Sequence, residues 1–326
     1  MSSPSRLARD GGPTRILVTG AGGFVGRHLT EALRRRCPDW IFDAPEGTTD
    51  RPHAIDVTDS AATDEWVKRA QPDIVVHLAA VAAVTAAVRD PRLAWEVNLG
   101  GTLNLVLAMQ RFAPSAHLLF ISSAEVYGQS LAASAPVDES ALLQPLNPYA
   151  ASKAAADILV RQATADGLSS TIMRPFNHTG PGQSEAFVAP SFAGQIARIE
   201  AGLQEPVIRV GNLDDERDFL DVGDVASAYA LALDRREELA PASIFNVASG
   251  EALRVGEVLE RLLSMTPARI QIQIDPDRLR SSRIPRVVGD ASRLHKLGWR
   301  PTIGLDDTLA AVLQDRRQAL MDAQRG

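Results

Sequence analysis

The segment that most constrains this chain is residues 15–26, Arg-Ile-Leu-Val-Thr-Gly-Ala-Gly-Gly-Phe-Val-Gly. Ile16, Leu17, Val18 and Thr19 form an apolar run rich in β-branched residues, the pattern of a buried parallel strand. Glycines at 20, 22, 23 and 26 follow, and residues 27–36 then show helical periodicity. Strand, glycine turn and helix in that order make the front of a βαβ unit. Gly20 permits the tight turn, Gly23 lets backbone amides approach a pyrophosphate, and Gly26 lets the helix pack closely on the strand. A turn without a ligand also favours glycine. The flanking strand and helix are what point this motif to a dinucleotide.

A length of 326 residues suggests one large or two modest domains. The net charge of -6 argues against generic binding to nucleic acid or to an anionic membrane, while a few local arginines still suffice for an anionic substrate. The single cysteine, Cys37, excludes an internal disulfide and a cysteine-based metal cluster, and no metal site is expected. Residues 1–13 are polar, lack the apolar stretch of a signal peptide, and read as a disordered extension. The longest apolar run, residues 74–88, contains His77 and Thr85 and falls short of the ~18 residues a membrane span needs. A cytoplasmic protein is expected.

Along the chain, residues 40–43 read as the second strand. Asp43 closes it about 20 residues beyond the glycine turn, where a carboxylate can hold ribose hydroxyls. Residues 53–57 read as a short third strand with Asp56 and Val57 at its carboxyl end, near the adenine. A helix over 61–70 is followed by a buried strand over 73–78 that ends in Ala79-Ala80, small enough to lie against a cofactor. His77, inside that strand, reads as a satisfied core histidine. A helix over 91–112, a strand over 117–121 ending at Ser122-Ser123, a helix over 149–165 and a strand over 170–174 continue the alternation. The fold class is therefore α/β, a Rossmann-type doubly wound parallel sheet.

The pattern changes after Pro175. Short strands over 207–210 and 270–274 read as lying outside the first sheet, whereas 244–247 reads as a return to it. Helices are expected over 191–201, 224–234, 255–263, 291–296 and 305–317. The expected division is a dinucleotide-binding domain of residues 14–175 with about 220–248, and a smaller α/β carboxyl-terminal substrate lobe of 176–219 with about 249–326. Ligands of such sheets bind outside the strand carboxyl ends, so the substrate is expected between sheet and lobe.

Tyr149-Ala-Ala-Ser-Lys153 carries the chemistry. Four residues apart on a helix, phenol and ammonium share a face. A lysine charge there favours the phenolate and is expected to lower the tyrosine pKa, giving an acid or base usable near neutrality. Ser123 is placed to hydrogen-bond the same substrate oxygen. The bland alternative has Tyr149 packing the helix and Lys153 in water; the upstream glycine turn and Ser122-Ser123 favour the functional reading.

At this point the chain resembles the extended short-chain dehydrogenase/reductases of the NAD-dependent epimerase/dehydratase type, which modify nucleotide sugars. The resemblance runs from Arg15 to near Leu320. It rests on Gly20-x-x-Gly23-x-x-Gly26, His77-Leu78-Ala79-Ala80, Ser123 with Tyr127-Gly128, Tyr149-x-x-x-Lys153 and Arg174-Pro175. Within the family the chain is most similar to the GDP-6-deoxy-4-keto-D-mannose reductases (GDP-4-dehydro-rhamnose reductases), through Arg174-Pro-Phe-Asn-His-Thr-Gly-Pro-Gly-Gln183, Glu205-Pro-Val-Ile-Arg-Val-Gly-Asn-Leu213 and Arg217-Asp218-Phe219.

The resemblance implies a nucleotide-sugar 4-ketoreductase, with NAD(P)H-dependent reduction of GDP-4-keto-6-deoxy-D-mannose to a GDP-6-deoxyhexose, GDP-D-rhamnose or its C4 epimer. Ser123, Tyr149 and Lys153 would form the catalytic set, with Tyr149 protonating the C4 oxygen and Lys153 also holding the nicotinamide ribose. Glu125 stands where related dehydratases keep a glutamate base, but Ala124 replaces the neighbouring acid common in many of them, which favours reduction. The implied cofactor contacts are Gly20, Gly23, Phe24, Val25, Gly26, Asp43, Asp56, Val57, Leu78, Ala79, Ala80, Asn98, Tyr149, Lys153 and Pro175. Substrate contacts are Ser123, Glu125, Asn177, Arg209, Arg217 and Arg280.

Three features depart from the family or refine it. Arg283 replaces a glutamate associated with the nucleotide ribose, and Val81-Ala82-Ala83-Val84 is apolar where relatives tend to be polar. Asp43 favours NAD(H), with NADP(H) also admitted, because a carboxylate repels a 2′-phosphate. A homodimer is expected through the helices over 91–112 and 149–165. The competing functional readings are a 4-epimerase or 4,6-dehydratase with retained NAD, and a Rossmann-type sensor that binds cofactor without turnover.

Overall fold

In the computed structural model, residues 13–43, 55–133, 135–279 and 284–325 are described. Most of the expected extension (residues 1–12), the start of the expected third strand (53–54), Arg280 and Arg283 lie outside the described residues. Contacts divide the chain into two units. The first comprises Met1–Tyr127, Leu143–Pro175 and Ala226–Val247; the second comprises Gly128–Leu142, Phe176–Val225 and Ala248–Gly326.

In the first unit, β1 (Arg15–Thr19) is buried from Ile16 onward and leads through the glycine turn into α1 (Phe24–Arg36). Then come β2 (Ile41–Asp43), α2 (Ser60–Ala70), β3 (Ile74–His77), α3 (Val84–Arg89), α4 (Pro91–Trp95) and α5 (Thr102–Phe112). After these follow β4 (His117–Ile121), α6 (Pro148–Ala165) and β5 (Ser169–Pro175). Strand Ser243–Val247 joins β5, and the six-stranded sheet runs Ser243–Val247, β5, β4, β3, β1, β2, with every pair parallel. Since β2 lies on one side of β1 and β3 on the other, the winding reverses at β1. The glycine turn therefore stands at the switch point, where such sheets bind their ligands.

Both faces of the central strands are buried, which explains why β3 and β4 read as unbroken apolar runs rather than alternating ones. On one face, Leu17, Val75, Leu118, Phe120 and Ile172 pack against Trp66 and Val67 of α2, Leu105 and Met109 of α5, and Val160 of α6.

Two expectations are corrected here. Residues 55–57 form no strand. Asp56 Oδ1 accepts from the backbone N–H and the hydroxyl of Thr58 (2.9 and 2.7 Å), and Asp59 caps α2 by accepting from Ala62 N–H (3.0 Å). These local side-chain bonds hold the backbone in a turn and take it out of the ladder. The helix expected over 91–112 is interrupted by a π-helical stretch, Glu96–Gly101. Within it, a Cβ on Gly101 would lie 2.5 Å from Val57 Cγ2, so glycine lets the helix approach Val57.

Among the described residues the second unit holds three small sheets. Val207–Val210 pairs in parallel with Gln271–Ile274. Asn177–Thr179 pairs with Phe219–Asp221, and Glu216–Arg217 lies between Leu253–Arg254 and Arg286–Val287. Helices Val188–Glu200, Val255–Ser264 and Leu305–Arg325 enclose Phe192, Ile196, Val258, Leu262, Leu309 and Val312. The carboxylate of Asp218, fully buried, gathers this unit's loops. It accepts from the backbone N–H and hydroxyl of Ser249 and from the N–H groups of Gly250 and Gly289.

Candidate active site

The glycine turn is built for close approach. Gly20 has φ +72°, and a Cβ there would lie 2.7 Å from Ala79 N; a Cβ on Gly26 would lie 2.6 Å from the Ala21 carbonyl oxygen. Gly23 is the N-cap of α1 and offers no side chain to its first amides, so the N–H groups of Phe24, Val25 and Gly26 open the helix uncapped by a side chain. Backbone amides at a helix N-terminus favour an anionic group. With φ > 0 at Gly20, no side chain at Gly23 and open amides at the helix start, this cradle fits the pyrophosphate of a dinucleotide.

Asp43 ends β2, and its Oδ1 accepts from Trp66 Nε1 at 3.1 Å, so α2 fixes the carboxylate in place. Asp56 is exposed, its carboxyl held below the usual range by the Thr58 hydroxyl and N–H, while Val57 is buried. Beyond β3, Leu78 N–H donates to the Thr19 carbonyl (3.2 Å) and Ala79 N–H to the Thr19 hydroxyl (3.2 Å), which ties the Leu78-Ala79-Ala80 loop to the end of β1. His77 is a satisfied core residue. Its ring nitrogens meet the hydroxyls of Thr19 (2.7 Å) and Thr102 (3.1 Å), and burial pushes its pKa down to about 3.

Asn98, from the π-helical stretch, is engaged within the protein. Its Oδ1 accepts from Val81 N–H (2.8 Å), and its Nδ2 donates to the Val81 carbonyl (3.3 Å) and to Ser152 Oγ (2.9 Å). Any part it has in cofactor binding acts through the Ala79–Val81 loop that it fastens to α6.

Ser123, Tyr149 and Lys153 are all buried at the carboxyl ends of β4 and the start of α6. Ser123 Oγ accepts from Glu125 N–H (3.2 Å). Lys153 Nζ donates to the Ile121 carbonyl and lies 4.5 Å from the Phe120 ring centroid. Tyr149 differs from the expected lowering. Burial pushes its pKa up to about 12; hydrogen bonding with Ser123 opposes this and the Glu125 charge adds to it. The ammonium does not reverse that balance, because burial also drives Lys153 down to about 7, against a smaller opposing pull from Asp157.

Two features of the site gave no sequence signal of their own partners. Arg174, on β5, is buried and donates through Nε and Nη2 to Asp157 of α6 (3.0 and 2.9 Å) and through Nη1 to the Tyr127 hydroxyl (3.1 Å), which itself donates to Asn246 Oδ1 (2.6 Å). Asn147 caps α6 and also donates to Glu125. The pair Asn147-Pro148, cap followed by proline, does mark the helix start in the sequence.

Of the remaining candidates, Pro175 is buried at the end of β5. Asn177 is exposed on its short strand. Arg209 is exposed on Val207–Val210, its backbone held on both sides by Gln195. Arg217 donates to the Glu216 and Pro285 carbonyls and pairs with Asp215 at 2.8 Å. Among the described residues no cluster of His, Cys, Asp and Glu has the makings of a metal site.

Residues 16–248 match the model of the NAD dependent epimerase/dehydratase family. The chain is 40% identical to GDP-6-deoxy-D-mannose reductase of Pseudomonas aeruginosa over 304 residues, 92% of this chain and 96% of that one. It is 31% identical to UDP-glucose 4-epimerase of Streptomyces lividans, over 88% and 92% of the two chains. Among solved structures it is similar to RMD from Pseudomonas aeruginosa complexed with NADPH, with 38% identity, a TM-score of 0.84 and coverage of 94% and 99%. The complex of Thermus thermophilus UDP-glucose 4-epimerase with NAD gives 30% identity and a TM-score of 0.81 over 94% and 100%. With these matches and the cradle, serine, tyrosine and lysine in place, the chain belongs to the NAD-dependent epimerase/dehydratase family.

Proposed function

We propose that this enzyme is a nucleotide-sugar 4-ketoreductase that reduces GDP-4-keto-6-deoxy-D-mannose to a GDP-6-deoxyhexose, GDP-D-rhamnose or its C4 epimer. The observation that carries the reading is the 40% identity, over nearly the whole of both chains, to a GDP-6-deoxy-D-mannose reductase, against 31% to an epimerase. When bound, the reduced nicotinamide supplies a hydride for C4. Tyr149 holds the proton destined for the C4 oxygen, and its raised pKa keeps that proton in place at neutral pH. Ser123, whose oxygen already accepts from Glu125 N–H, directs its O–H toward the same oxygen. Lys153 is held within the site by the Ile121 carbonyl and is available to the nicotinamide ribose.

The glycine cradle, the Leu78–Ala80 loop and Asp43 serve the dinucleotide, with NADH preferred. The first unit acts as the dinucleotide-binding domain and the second as the substrate-binding domain, where Asn177, Arg209 and Arg217 are the candidates for the substrate's diphosphate and nucleoside. We place the enzyme in the cytoplasm; no helix among the described residues is long and apolar enough to cross a membrane. It works as a homodimer. Leu93 and Trp95 of α4, Leu103 and Leu107 of α5, and Ile158 of α6 are exposed large apolar side chains on the two helical stretches assigned to the interface.

The test is incubation of GDP-4-keto-6-deoxy-D-mannose with the enzyme and NADH or NADPH, with the product identified by NMR. Stoichiometric oxidation of the nicotinamide with formation of a GDP-6-deoxyhexose is the expected result. Bound NAD in the purified protein, and turnover of a nucleotide sugar without added reductant, would instead identify the epimerase or dehydratase alternative.

A further inference from the structure

Among the described residues, the strand Val207–Val210 has a ladder partner on one side only, Gln271–Ile274. The carbonyls of Pro206 and Val210 accept from Gln271 and Asp275 N–H (2.9 and 2.8 Å), so the intervening Arg209 turns its own N–H and carbonyl to the opposite edge. There Gln195 of helix Val188–Glu200 meets both. Its Oε1 accepts from Arg209 N–H (2.8 Å), and its Nε2 donates to the Arg209 carbonyl (3.1 Å). Nε2 also reaches the Ser191 carbonyl one turn back (3.4 Å), and the side chain is buried, so the carboxamide is fixed in this orientation. Gln204 closes the same edge at Val207, whose carbonyl accepts from its Nε2 (2.8 Å).

We infer that Gln195 is a positioning residue that clamps both main-chain polar groups of Arg209 and so presents its guanidinium to the diphosphate of the nucleotide-sugar substrate. The inference rests on the assignment of Arg209 as a substrate contact. Side chains alternate along a strand. Ile208 and Val210 are buried with Phe192 and Ile196 of the helix that carries Gln195, which puts Arg209 on the other face, where it is exposed. Among the described residues no hydrogen bond or ion pair engages its guanidinium, whereas Arg198 and Arg217 are paired with Glu185 and Asp215. Arg209 is thus placed through its main chain, and that is what Gln195 grips. An apolar side chain at 195 would leave the Arg209 N–H and carbonyl without partners, and the strand would shift toward water to regain them. A guanidinium meets a diphosphate through a rigid fork of donors, so a displaced Cα costs it hydrogen bonds.

The test is the dissociation constant of GDP, measured by calorimetry on the unaltered enzyme, Arg209→Ala, Gln195→Met, the double variant and Gln204→Met, with the thermal midpoint of each. Hydrogen bonds to a charged group are strong enough that Arg209→Ala should weaken GDP ~10-fold or more. Gln195→Met keeps the side chain's length and removes both bonds. It should weaken GDP several-fold, by less than Arg209→Ala, and raise KM for the 4-keto sugar while kcat at saturation holds. In the Arg209→Ala background the same change should have no effect, because no guanidinium is left to position. Gln204→Met opens the same edge two residues away and should leave GDP affinity unchanged. A Gln195→Met loss that is equally large without Arg209, or no loss at all, overturns the inference. If Gln195→Met folds poorly, Gln195→Glu, which keeps the acceptor for the Arg209 N–H and loses the donor, is read by the same two criteria. If Arg209→Ala leaves GDP affinity unchanged, the substrate assignment fails and the inference with it. If Arg209→Ala weakens GDP and the Gln195 variants do not, only the inference fails.

Discussion

Asp157 lies one helical turn beyond Lys153 on α6, and its fully buried carboxylate takes two parallel hydrogen bonds from the equally buried Arg174, at 3.0 and 2.9 Å. The pair bolts the helix that carries Tyr149 and Lys153 to β5, and Tyr127 extends the bolt to Asn246 of the neighbouring strand. A desolvated ion pair is weak evidence of net stability, but breaking one partner strands the other in the interior. Asp157→Asn is therefore expected to lower folding stability by ~3–5 kcal/mol, read by urea denaturation. An unchanged denaturation midpoint would count against this role.

A second prediction concerns acid stability. Burial lowers His77 from 6.5 to about 3 and His117 from 6.5 to about 4. Both imidazoles stay neutral in the folded chain while the unfolded chain takes up protons below about pH 6.5. The unfolded state binds more protons in that window, so stability rises with pH across it. It is expected to be full above pH 6.5 and to fall as the pH drops toward 4. His117→Asn should flatten part of that slope, as measured by denaturation at pH 5 and pH 7.

Cofactor choice is the third. The Asp43 carboxylate, held by Trp66 Nε1, would repel a 2′-phosphate, so NADH should bind more tightly than NADPH. Two unit charges a few Å apart near a protein surface interact by a few kcal/mol, which makes a preference of roughly tenfold or more the expected scale. Asp43→Gly should narrow it. The solved Pseudomonas aeruginosa relative was complexed with NADPH. Fluorescence titrations that show an NADPH preference in the unaltered enzyme would therefore overturn this reading.

The fourth concerns assembly. Leu103 and Ile158 are exposed at 40% and 55%, so a charged residue at either place disturbs no core. Leu103→Lys with Ile158→Lys should convert a dimer to a folded monomer in sedimentation. A concentration-independent monomer for the unaltered chain would refute the homodimer.

How much of this was legible in the sequence follows from how local each feature is. β1, β3 and β4 read correctly because strands buried on both faces are near-continuous apolar runs, whereas β5 and Ser243–Val247, broken by polar residues, were readable from the short apolar pairs Ile172-Met173 and Ile244-Phe245 and from the strand–helix alternation. Over 55–57 the expected strand gives way to a turn, where Asp56 and Asp59 divert the backbone into side-chain bonds. Tyr149 and Lys153 were legible through their spacing on one helix. The direction of the Tyr149 shift was not, because burial of both side chains outweighs their proximity. Asn147 with Glu125 and Asp157 with Arg174 stand 22 and 17 residues apart, and only the folding of α6 onto the sheet brings each pair together.

The last prediction concerns the chemical step. Tyr149→Phe removes only a hydroxyl from a buried ring, so folding and cofactor affinity should survive while turnover falls. A general acid contributes ~10²–10⁴-fold, and the loss should be at least of that order. Lys153→Ala should lose turnover and also weaken cofactor binding, since the one side chain is assigned to both. Ser123→Ala should have a smaller effect, because the proton source remains when a hydrogen bond to the oxygen is lost. If Tyr149 merely packs α6 against the site, its replacement would lower the thermal midpoint and leave activity per folded molecule near normal. Measuring melting temperature and turnover on the same Tyr149→Phe preparation separates these cases. A stable variant that still reduces the 4-keto sugar at the original rate would remove Tyr149 from the mechanism.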